Sequence, residues 1–106
     1  MGFFDFLKQP DINDGVSRFK AESKGVLLDV RTKEEYSQGH IPDSINVPLD
    51  ELGRVSEKIK SQALPIFVYC HSGTRSGQAV MLLKRMGYTN SENIGGIINY
   101  KGEVLR

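Results

Sequence analysis

One segment of the sequence concentrates reactive chemistry: Cys70-His71-Ser72-Gly73-Thr74-Arg75-Ser76. It opens with the only cysteine in the chain and carries an arginine and several hydroxyl side chains around a glycine. Successive backbone N–H groups in such a loop can turn inward and form an anion-binding nest, and Gly73 permits the backbone dihedrals a tight cradle needs. If a helix begins near Arg75, its N-terminus adds partial positive charge. A cysteine so placed ionises readily, its pKa falling from about 8.5 to roughly 3.5–7.5. The segment therefore offers a thiolate, a ring of donors and a guanidinium around one small volume. The same donors can hold a second sulfur attached to Cys70, because a persulfide is itself anionic near neutral pH.

The elements flanking the loop are those that position a site at a sheet edge. Pro65-Ile66-Phe67-Val68-Tyr69 reads as a strand with proline at its tolerated first position. After the loop, Ala79, Leu82, Leu83 and Met86 recur at the spacing of one buried helix face. Lys84 and Arg85 suit the last turn of that helix, and Gly87 suits its end. Upstream, Val26-Leu27-Leu28-Asp29-Val30 reads as a buried parallel strand. Thr32-Lys33-Glu34-Glu35 matches a capping box and predicts a short helix that Gly39 ends. Asn13 or Asp14 is expected to cap a first helix carrying Ile12, Val16 and Phe19 on one face. Ile45-Asn46-Val47-Pro48 predicts a short strand, Leu49 through Ser61 one or two helical pieces, and Asn93-Ile94 a last strand before Gly95-Gly96. Such alternation predicts an α/β domain with a mainly parallel sheet, and ligands of such sheets bind beyond the carboxyl ends of the strands.

The bulk properties set limits. A chain of 106 residues suits a single domain, residues 1–106, with 1–10 as a lead-in. Fourteen basic against thirteen acidic residues leave a net charge of +1, which by itself argues for neither nucleic acid nor an anionic membrane, and neither is expected as a partner. No stretch approaches the roughly 20 apolar residues of a membrane span. One cysteine excludes an internal disulfide and a cysteine-rich zinc site. The start, Met1-Gly2-Phe3-Phe4-Asp5-Phe6-Leu7-Lys8, lacks a secretory pattern, so a reduced, cytoplasmic setting and a monomer are expected.

In order and spacing, Leu28-Asp29-Val30-Arg31, Glu35-Tyr36, Gly39-His40-Ile41-Pro42, Ile45-Asn46-Val47-Pro48, the Cys70–Ser76 loop and Gly95-Gly96-Ile97 together resemble the rhodanese domains, over nearly the whole chain. The resemblance implies a mainly parallel five-stranded sheet flanked by helices on both faces. It also implies thiosulfate or a related sulfane donor and a persulfide on Cys70. Asp43-Ser44 stands where Gly-Ala is usual in that family, and Tyr100 where tryptophan is common. The expected reaction is a ping-pong sulfur transfer with Cys70 as nucleophile. His71, Ser72, Gly73, Thr74, Arg75 and Ser76 form the binding loop, with no metal or organic cofactor. The acceptor is a thiol or cyanide, with a thioredoxin-like or dedicated sulfur-accepting protein among the candidates.

Each residue also has a plainer reading. Free cysteines are often small buried hydrophobes, but the loop around Cys70 favours function. Arg75 is expected to face the anion rather than merely brace the helix start. His71 is expected to line the site mouth rather than act in acid–base catalysis. Asp29 and Arg31 are read first as an internal ion pair, which in the family resembles a support for the loop, and His40 as a structural histidine. The aromatics of Met1–Leu7 suit packing across the domain better than a partner patch. Two other functions compete. Tyrosine phosphatases and arsenate reductases also use a Cys…Arg loop, but a longer one. Only His71-Ser72-Gly73-Thr74 intervene here, leaving space for one sulfur rather than a tetrahedral oxyanion. A catalytically weak sulfur carrier or binding module is the other alternative.

Overall fold

The computed structural model describes residues 9–106; the Met1–Leu7 aromatics lie outside the described residues. Helix α1 spans Ile12–Ala21 and leads into strand β1, Val26–Asp29. Short helix α2 (Lys33–Gln38) and strand β2 (Ser44–Asn46) follow. A 3-10 stretch over Leu49–Glu57 then precedes β3, Ile66–Cys70. Helix α3, Thr74–Arg85, crosses to β4, Ser91–Gly96, and a single 3-10 turn covers Ile97–Asn99. The strands lie in the order β2-β1-β3-β4, all parallel. The described residues thus hold four strands, not the five that the family resemblance implied. The expected alternation and the parallel sheet are both present.

Side chains alternate across a strand, and here both faces are covered. Leu27, Phe67 and Tyr69 point to one side, where Ile12 and Val16 of α1 meet them together with Ile94. Leu28, Val68 and Cys70 point to the other, against Leu52 and Val55 of the 3-10 stretch and Ala79 and Leu83 of α3. Every residue of β3 is buried, which explains why its sequence is a continuous apolar run. Burial of side chains of this size contributes about 1.5–3 kcal/mol each.

Several boundaries differ from expectation for local reasons. The cap of α1 is Asp11, whose side chain accepts the Asn13 amide at 2.9 Å; Asn13 and Asp14 lie inside the helix. Leu82 is 40% exposed, since only Ala79 and Leu83 of α3's apolar set face the sheet squarely. Strand β4 runs through Gly95-Gly96 rather than stopping before them, with a register shift between Val68 and Tyr69. Asp43, at the position where glycine is usual, adopts φ 70°, a left-handed conformation that costs an L-residue about 1–2 kcal/mol. His40 is held as a structural residue: its ring stacks on Tyr36 at 3.9 Å and its Nδ1 lies 2.9 Å from the Tyr36 carbonyl.

Candidate active site

Cys70 ends β3 at the carboxyl edge of the sheet, and the chain turns there because Gly73 adopts φ +104°. Gly73 is also the N-cap of α3, with no side chain capping the helix. The first-turn N–H groups, orphaned in any helix, are thereby left to the sulfur. The Gly73 amide donates to Cys70 Sγ at 3.0 Å, and the Ser76 hydroxyl lies 3.3 Å from it. Burial pushes the thiol up. Hydrogen bonds from the Ser76 hydroxyl and from the Ser76, Gly73 and Ser72 amides outweigh that and hold it below its ordinary value. The cysteine is 1% exposed, so a reactant meets the sulfur at the bottom of the cradle.

The loop is fixed from β4 and the turn beyond it. The Ile98 amide donates to the His71 carbonyl at 3.1 Å, and a side chain at Gly96 would collide with the His71 carbonyl and Ser72. The Asn93 amide nitrogen donates to the Gly73 carbonyl at 3.0 Å. Ser76 is fully buried, and its hydroxyl is 2.7 Å from Asn93 Oδ1. His71, Ser72 and Thr74 are exposed at the rim.

Arg75 is engaged elsewhere than expected. Its two terminal nitrogens meet the Glu35 carboxylate at 2.7 and 3.0 Å, a fork-to-fork pairing. Glu35 simultaneously completes the Thr32 capping box, accepting the Thr32 amide at 3.0 Å while Thr32 Oγ1 accepts the Glu35 amide at 3.1 Å. Arg75 is the main cause of its depressed pKa, about 2, helped by the Thr32 contacts against the opposing effect of burial. Arg75 remains within electrostatic reach of Cys70. Beside it a mainly apolar cavity of about 460 Å³ opens between Val30, Thr32, Pro48, Leu49 and Asp50.

Asp29 and Arg31 form the internal pair expected of them. Arg31 Nε and Nη2 donate to Asp29 Oδ2 at 3.0 and 2.7 Å, the Arg31 amide donates to Oδ1 at 2.8 Å, and Nη2 also donates to the Gly39 carbonyl at 2.7 Å. Asn46 Nδ2 donates to the carbonyls of both residues at 3.0 Å. The guanidinium lies 5.7 Å from the Tyr69 ring, next to Cys70 in the chain. Sequence reasoning missed Asn93 and the second role of Glu35. The capping motif did mark Glu35, though only as a local residue.

A sequence model of the family described as "Rhodanese-like domain" matches residues 14–103. Over 71 residues the chain is 42% identical to "Thiosulfate sulfurtransferase PspE" of Escherichia coli, covering 66% of this chain and 68% of that protein. It is 39% identical over 95 residues to a "Sulfurtransferase" of Allochromatium vinosum, covering 88% and 81%. Among solved structures, "rhodanese with anions from E. coli" superposes with a TM-score of 0.72 at 36% identity, covering 77% of this chain and 98% of that one.

Proposed function

We propose that this chain, which belongs to the rhodanese-like domain family and its sulfurtransferase class, moves sulfane sulfur from thiosulfate or a similar donor to a thiol or cyanide through a persulfide on Cys70. The observation that carries this reading is the cradle itself: a sulfur 3.0 Å from the Gly73 amide at the start of an uncapped helix. The Cys70 thiolate attacks the outer sulfur of thiosulfate. The donor S–S bond breaks, and sulfite leaves with its electron pair. The new persulfide's outer sulfur carries the negative charge, and the loop amides and helix start stabilise it. An acceptor thiolate or cyanide then attacks that outer sulfur, and Cys70 departs as the thiolate. The sequence holds no second cysteine, so these 106 residues supply no accepting thiol of their own. The four-residue spacing between Cys70 and Arg75 leaves this cradle suited to one added sulfur rather than to a phosphate.

The test is cyanide-dependent thiocyanate formation from thiosulfate. Wild-type protein is expected to turn over, and Cys70→Ser, folded, to give none. Turnover that survives Cys70→Ser overturns the assignment. A second reading, a slow sulfur carrier, draws on the Glu35–Arg75 pair, which leaves the donor to the amides and a guanidinium already engaged. A persulfide that forms but transfers slowly to every acceptor tried would favour it.

A further inference from the structure

We propose that Asn93 is a positioning residue: it occupies the Gly73 carbonyl and parks the Ser76 hydroxyl proton, leaving that proton free to swing to Cys70 when the sulfur becomes an anion. The inference rests on the sulfurtransferase reading only for its purpose; its geometry stands independently.

Ser76 has one hydroxyl proton and three acceptors in reach: Asn93 Oδ1 at 2.7 Å, the Gly73 carbonyl at 3.1 Å and Cys70 Sγ at 3.3 Å. The orientation of the Asn93 amide follows from its other two partners. Its Nδ2 donates to the Gly73 carbonyl at 3.0 Å, and its Oδ1 accepts the Gly95 amide at 3.0 Å. Flipped, it would set donor against donor and oxygen against oxygen. The Ser76 proton therefore points to Oδ1 in the resting thiol, and the hydroxyl's lone pairs are open to the Cys70 S–H.

Ionisation of Cys70 reverses that contact, since the sulfur has become an acceptor. The hydroxyl proton can leave Asn93 at little cost. Oδ1 keeps the Gly95 amide, and the Gly73 carbonyl keeps Nδ2. No buried group is orphaned in either state, which is the condition a buried switch must satisfy. Register supplies the aim: Asn93 lies beside Val68 and shares its face, toward α3. Asn93 pairs with Val68 and Gly95 with Tyr69, so Ile94 is the extra residue and faces α1's cluster. Asn93 faces the start of α3, where a side chain at Gly77 would stand 3.5 Å from its Nδ2.

Charged and titratable groups near the loop are Arg75 on α3, Glu35 on α2, Asp29 at the end of β1 with Arg31 just beyond it, and His71 in the loop itself. Substitution at position 93 leaves all of them in place. The test is the midpoint of thiolate absorbance against pH, measured on full-length protein with no sulfur donor, so its result is separable from the fate of the sulfur-transfer reading. Asn93→Ala vacates one acceptor position on the Gly73 carbonyl, which keeps the Gly77 amide at 3.1 Å and now draws the Ser76 proton, and the midpoint should rise by about one pH unit, as for loss of one hydrogen bond to the charged form. Ser76→Ala should raise it similarly, and the double variant should add little to Ser76→Ala alone. Asn93→Asp, of equal size, should raise it further, by adding a like charge that also holds the hydroxyl proton. It also gives a reading should the alanine variant fold poorly. Unchanged midpoints in folded Asn93→Ala and Asn93→Asp would overturn the proposal. So would an Asn93→Ala shift of full size in the Ser76→Ala background.

Discussion

Two arginine–carboxylate pairs frame the carboxyl edge of the sheet, and they differ in burial more than in geometry. Asp29 with Arg31 and Glu35 with Arg75 both place a guanidinium fork on a carboxylate. The first is shut in, with side chains 0% and 6% exposed, whereas the second is about one-third open at 32% and 34%. A buried pair cannot be broken without leaving a charge stranded in low dielectric. A pair about one-third open can separate into water for about 1 kcal/mol or less. The difference assigns work: Asp29–Arg31 holds the β1 end beneath Tyr69, and Glu35–Arg75 is a contact that an incoming anion can compete for.

Breaking the buried pair should have the largest effect. Asp29→Asn leaves Arg31 charged and only partly satisfied. It should destabilise the fold by about 3–5 kcal/mol, measured by denaturant unfolding; a loss under 1 kcal/mol would place this pair in the same class as the exposed one. Opening the exposed pair should act on the donor instead. With Glu35→Gln, which keeps a capping-box acceptor, Arg75 is released, and KM for thiosulfate should fall by roughly threefold to tenfold. A neutral sulfane donor should show no such gain. Equal changes for charged and neutral donors would confine Arg75 to bracing the loop.

Acid gives the smallest and cleanest signal. Glu35 titrates near pH 2 in the folded protein against an ordinary 4.5, so its pair stabilises the fold fully above about pH 4.5. That contribution should fade as pH drops from there toward 2. Its loss should be at most about 1 kcal/mol, given the solvent around it, and should be absent in Glu35→Gln. The comparison is the difference between wild-type and variant unfolding free energies across that range. A difference that grows with acid would contradict a stabilising role for the ionised Glu35.

What was legible in the sequence was local or strongly patterned. The runs 26–30 and 65–69 are apolar because both sheet faces are covered, and β1 and β3 follow them to within a residue. The Thr32–Glu35 box, the Gly73 turn and Gly87 (φ +100°) at the end of α3 each state a backbone need through one residue type. The failures are failures of distance. Asn93 reaches Ser76 across 17 residues and Glu35 reaches Arg75 across 40, and neither end carries a pattern that predicts the other. Arg75 looked like a bare cation because its partner already had a sufficient local explanation. The fifth strand came from the family resemblance, with no apolar run of its own behind it.

Intact mass after brief exposure to thiosulfate tests most directly whether Cys70 carries the transferred sulfur. One sulfur atom should be gained at Cys70, lost again on adding cyanide, and absent in folded Cys70→Ser. Unmodified mass on well-folded wild-type protein across several sulfane donors, or an adduct that persists in Cys70→Ser, would contradict it.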